Sequence, residues 1–124
     1  MDRILIVDDE FLIRYTLEEG LKDRGYDAYS AATVEEGLEF VRKYHPGVLL
    51  LDNLLENSVG MDEIVNFKNA DEELQVIMMT AYGSVSQAVE ATKRGAYDYI
   101  LKPFDVDEIC LLYTSDAADE GLGV

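Results

Sequence analysis

The chain has 124 residues, 48% of them apolar, which suits one compact core and leaves little for a second domain. Its 26 Asp and Glu against 10 Lys and Arg give a formal net charge of -16, which opposes contact with phosphate backbones and argues against direct nucleic-acid binding. No apolar run approaches the roughly 20 residues needed to cross a bilayer. The start Met1-Asp2-Arg3-Ile4 lacks the charged and then apolar regions of a leader, so a cytoplasmic domain without membrane contact is expected. The single cysteine, Cys110, rules out an intramolecular disulfide and any multi-cysteine metal site.

Ile4-Leu5-Ile6-Val7 is a short, continuously apolar run, the pattern of a strand buried on both faces of a parallel sheet. Ile13, Leu17 and Leu21 then recur every four residues among Glu18, Glu19, Lys22 and Asp23, predicting a helix that stops at Gly25. A weaker second strand is expected from Asp27 to Ala31. Thr33-x-x-Glu36 is a capping-box signature, and the helix it opens carries Val34, Leu38 and Val41 before Pro46 forbids continuation. Val48-Leu49-Leu50-Leu51 repeats the buried-strand pattern, and Ile64 with Phe67 marks a short third helix. Val76-Ile77-Met78-Met79 forms the fourth strand. A fourth helix is expected from about Ser84, turning Val85, Ala88, Val89 and Thr92 inward, with Gly95 beyond its end. Tyr99-Ile100-Leu101 is the fifth strand. Strand and helix alternate throughout, which predicts an open parallel sheet with helices on both faces, an α/β sandwich.

In such sheets ligands bind beyond the carboxyl ends of the strands. Asp8 and Asp9 follow the first strand, Asp52 the third, Thr80 the fourth and Lys102 the fifth. A lone Asp at a strand end is ordinarily structural, but four strands delivering carboxylate, hydroxyl and ammonium groups to one rim form a site. The second strand contributes nothing, as befits an edge in the flavodoxin-like order 2-1-3-4-5. Three converging carboxylates repel one another, each pair by about 4 kcal/mol at 4 Å with an effective dielectric near 20. They must protonate, pair with Lys or bind a metal. All candidate ligands are oxygens, which favours Mg2+ or Mn2+ over Zn2+ and points to phosphate chemistry.

The motifs Ile4-Leu5-Ile6-Val7-Asp8-Asp9-Glu10, Leu49-Leu50-Leu51-Asp52, Met79-Thr80-Ala81 and Tyr99-Ile100-Leu101-Lys102-Pro103-Phe104 together resemble the receiver domains of bacterial two-component response regulators, across roughly Asp2 to Ile109. The resemblance implies a (βα)5 fold and a signalling switch, not a turnover enzyme. It makes Asp52 the phosphoacceptor for a histidine kinase. Asp9, Asp52 and the backbone carbonyl of Leu54 would bind Mg2+ directly, and Asp8 through water. Lys102 and Thr80 would assist catalysis, and Thr80 and Tyr99 would form the switch. It further implies an output domain or downstream partner, and a homodimer face around the fourth helix and fifth strand. Thr80-Ala81-Tyr82-Gly83-Ser84 and Gly95-Ala96-Tyr97-Asp98-Tyr99 are most similar to receivers of enhancer-binding transcription activators. One position departs from the family: Glu56 stands where receivers usually carry Pro, four residues after the acceptor.

A fifth amphipathic helix is expected from near Asp105. Instead Cys110-Leu111-Leu112-Tyr113-Thr114-Ser115-Asp116-Ala117-Ala118-Asp119-Glu120 is similar to the translation of a transposon-end sequencing adapter. The expected division is therefore a receiver over 1–109 and a non-native tail over 110–124, with the last helix truncated or replaced. Two other readings compete. A haloacid-dehalogenase-like phosphatase also uses an Asp nucleophile with Mg2+, but places it after the first strand with a second Asp two positions on, where this chain has Glu10. A pseudo-receiver that switches without phosphorylation commonly lacks one of the acidic or Lys residues, all of which are present.

Overall fold

The computed structural model describes residues 3–53, 59–80 and 85–101. The elements are β1 (Arg3–Val7), α1 (Phe11–Asp23), β2 (Asp27–Ala31), α2 (Val34–Tyr44), β3 (Val48–Asp52), α3 (Gly60–Ala70), β4 (Gln75–Thr80), α4 (Val85–Lys93) and β5 (Asp98–Leu101). The five strands form one sheet in the order β2-β1-β3-β4-β5, every pairing parallel. This is the expected flavodoxin-like order. The fifth helix and the tail, with Cys110, lie outside the described residues.

The continuous apolar runs are explained by what covers the two faces. Alternate strand residues point to opposite sides. Leu5, Val7, Leu49, Leu51, Val76 and Met78 meet Val34 and Val41 of α2, Ile64 and Phe67 of α3, and Ala91 of α4. Ile4, Ile6, Val48, Leu50, Ile77 and Met79 meet Leu17 and Leu21 of α1. Both faces are covered along Ile4–Val7, Val48–Leu51 and Val76–Met79, so these runs are apolar at every position.

The helix ends follow local chemistry. Thr33 caps α2 as expected, its hydroxyl accepting from the Glu36 backbone N–H at 3.2 Å. The return contact of the capping box goes to the hydroxyl, which donates to the Glu36 carboxylate at 3.3 Å. The same helix ends at His45, a left-handed residue at φ 48° whose N–H donates to the Val41 carbonyl, directly before Pro46. Gly25, at φ 90°, supplies the left-handed turn out of α1.

The α4 face differs from expectation at Val89 and Thr92, while the side chains of Val85 and Ala88 lie outside those described. Val89 is 48% exposed and Thr92 is also exposed, whereas Ala91 is 1% exposed and belongs to the core. Val89 lies two positions from Ala91, about 200° around the helix. A small residue faces the sheet here, and the larger valine is left outside.

Candidate functional site

The site begins where the strands end. Val7 pairs with Leu51 across β1 and β3, so the next residues, Asp8 just past β1 and Asp52 at the end of β3, stand side by side. One carboxylate oxygen from each of Asp8, Asp9 and Asp52 lies within 4.8 Å of the others. Asp8 is fully buried and Asp52 nearly so, while Asp9 is the more open member. The spacing realises the convergence expected from the sequence. It also creates the repulsion that calls for a cation, and the all-oxygen donor set fits a hard divalent ion.

Local bonds aim these groups. The Asp8 backbone N–H donates to the Ala31 carbonyl at 3.2 Å, extending the β1–β2 ladder past the last strand residue. The Asp8 carboxylate accepts from the Glu10 backbone N–H at 2.9 Å, which folds the turn into α1. Thr80 is buried at the end of β4, level with Leu101 of β5. Tyr99 pairs with Met78 two residues upstream and, by alternation, shares a sheet face with Thr80. Its side chain is partly buried against the core beneath α2 and α3. The two expected switch residues are therefore neighbours on one face. Lys102 and Leu54 lie outside the described residues.

Two residues that the sequence reading did not select hold the end of β3 in place. Asn53, buried next to Asp52, donates its backbone N–H to the Met79 carbonyl at 2.9 Å. Its backbone carbonyl accepts from the Gly60 N–H at 2.7 Å, and its side-chain oxygen accepts from the Met61 N–H at 3.1 Å. The residue at the N-terminal boundary of α3, Val59, has no side chain able to cap it. Asn53 instead satisfies two of the free N–H groups of that helix. This brings the first turn of α3 onto the end of β3, next to Asp52. A Cβ on Gly60 would overlap the Asp52 carbonyl oxygen and lie 3.0 Å from the Asn53 Cα, so only glycine fits. The available signal was a glycine opening a helix that has no polar capping residue before it.

The family model for the response regulator receiver domain matches residues 4–114. The chain belongs to that family. This receiver is 39% identical over 108 residues to the sporulation initiation phosphotransferase F of Bacillus subtilis (strain 168), covering 87% of each chain. It is 37% identical over 112 residues to the regulatory protein AtoC of Escherichia coli (strain K12), covering 90% of this chain and 24% of that one. The receiver thus spans nearly all of one relative and about a quarter of the other. A response regulator protein from Burkholderia pseudomallei, crystallised with a phosphorylated aspartic acid, a calcium ion and citrate, superposes with a TM-score of 0.85 at 28% identity. That match covers 99% of this chain and 75% of that one. Among the described residues of the receiver no helix is long and apolar enough to cross a membrane.

Proposed function

We propose that this receiver accepts a phosphoryl group on Asp52 from the phosphohistidine of a histidine kinase and switches conformation to control an output domain or partner, most simply in transcription. The observation that carries this is the cluster of Asp8, Asp9 and Asp52 within 4.8 Å at the carboxyl ends of β1 and β3. An Asp52 carboxylate oxygen attacks phosphorus, a P–O bond forms as the P–N bond to histidine breaks, and the electron pair leaves with the imidazole nitrogen. Asp8, Asp9, Asp52 and the Leu54 carbonyl would hold Mg2+, which supplies positive charge to the phosphoryl oxygens. The chain's own part is positioning and electrostatics: Asn53 and Gly60 keep the Asp52 backbone still, and Lys102 offsets further oxygen charge. Thr80 then hydrogen-bonds the phosphoryl group and Tyr99 follows it inward, which biases two states of similar energy.

The test is incubation of the full chain with a small phosphodonor and Mg2+, followed by mass spectrometry of intact protein and peptides. One phosphoryl group on Asp52, lost in Asp52→Asn, is expected. Continuous turnover dependent on Asp8 would instead support the phosphatase reading, and no labelling at all would support the pseudo-receiver. The protein is then a cytoplasmic switch and not a turnover enzyme. For a homodimer through the α4 and β5 region, the exposed Val89 and Tyr97 supply apolar surface.

Two further points of this reading have their own measurements. Glu56 adds a carboxylate four residues from the acceptor, in place of a rigid proline. Glu56→Pro is expected to change the lifetime of phosphorylated Asp52 at least threefold in a dephosphorylation time course, and an unchanged lifetime removes the idea. The proposed boundary at Ile109 rests on the adapter-like tail, although the family match runs on to residue 114. Long-read sequencing of the source locus decides it, because a genomic codon run continuing through Glu120 refutes an adapter origin.

A further inference from the structure

We infer that Arg14 is a positioning residue for the cation site, holding the peptide that carries Asp8 and Asp9 in its metal-binding geometry. The inference rests on the proposed Mg2+ role of that cluster. The β1–β3 ladder ends at the Val7–Leu51 pair, so the Asp8 carbonyl lies beyond the end of that ladder. The Arg14 guanidinium donates to that carbonyl at 2.7 Å from the first turns of α1. With the Asp8 N–H bound to Ala31 and the carboxylate bound to the Glu10 N–H, the backbone around Asp8 is held on both sides. The Asp8–Asp9 peptide plane is the unit whose orientation aims Asp9 at Asp52.

Charge adds to geometry. The cationic guanidinium sits against the peptide joining two of three mutually repelling carboxylates. It therefore opposes the outward motion that repulsion would drive before a cation binds. The Phe11 ring, 5.9 Å from the guanidinium carbon, flanks the same side chain and limits its alternatives. The site is thereby pre-organised in the metal-free state, which lowers the cost of binding.

The test titrates Mg2+ alone into the full chain by calorimetry or by NMR shifts of the Asp8, Asp9 and Asp52 amides. Arg14→Met is expected to weaken Mg2+ about tenfold, Arg14→Lys to stay within threefold of native, and the phosphorylation rate of Arg14→Met at saturating Mg2+ to stay within threefold of native. A folded Arg14→Met that binds Mg2+ within twofold of native overturns the inference. If Arg14→Met does not fold, Arg14→Gln carries the same expected loss, and failure of both to fold assigns Arg14 to stability and overturns the positioning role. A native chain that binds no Mg2+ sinks the proposed function itself, a separate result.

Discussion

Gly60→Ala is expected to slow phosphorylation of Asp52 about 100-fold, because even a shift near 1 Å at a reacting group can cost that much. The added methyl would overlap the Asp52 carbonyl oxygen, and a backbone atom cannot rotate away. Either the first turn of α3 lifts off, breaking the Asn53 contacts to Gly60 and Met61, or the acceptor backbone moves. Overpacking of this kind typically costs about 1–3 kcal/mol, so the melting temperature should fall as well. Gly37→Ala is the control. Its Cβ would meet the Val7 Cγ2 at 2.8 Å and the Phe67 Cζ at 3.2 Å, both side-chain atoms and neither of them part of the Asp52 backbone. That variant is expected to lose stability while its phosphorylation rate stays within twofold. Equal rates for Gly60→Ala and the native chain would mean that α3 repacks without moving the acceptor.

The contrast between these two glycines also marks what could be read from sequence. Asp8, Asp9, Asp52 and Thr80 were legible because each directly follows an apolar run, and a parallel sheet sends all such ends to one rim. The capping of α2 by Thr33 was legible for a related reason: donor and acceptor are three residues apart. The support of the acceptor was not. Asn53 accepts from the Met61 N–H eight residues away, and no local pattern encodes that distance. The outward place of Val89 on α4 was not legible either, because apolar volume alone does not decide which side of a helix packs. Ala91 faces the sheet while Val89, on the other side of the helix, stays exposed. The exposed valine and the supporting asparagine have one cause in common: tertiary packing overrode the strongest local signal.

The acidic cluster itself should trade stability for function. In Asp8→Asn the amide oxygen can still accept the Glu10 N–H, so the turn into α1 is preserved while one of three close charges is removed. Pair repulsion of up to about 4 kcal/mol applies at 4 Å with an effective dielectric near 20. Arg14 and neighbouring donors offset part of that. The metal-free variant is therefore expected to be about 1–2 kcal/mol more stable than the native chain, visible in both urea and thermal melts. Mg2+ should reverse the order. At free Mg2+ about 100 times the dissociation constant, the native receiver gains about 2.7 kcal/mol by mass action, whereas a variant that has lost the site gains little. Paired melts with and without Mg2+ would then cross. If Asp8→Asn were less stable than native without metal, the carboxylates would not be in net repulsion. The case for a cation at this rim would lose its electrostatic foundation, and the buried Asp8 would instead be held by its hydrogen bonds alone.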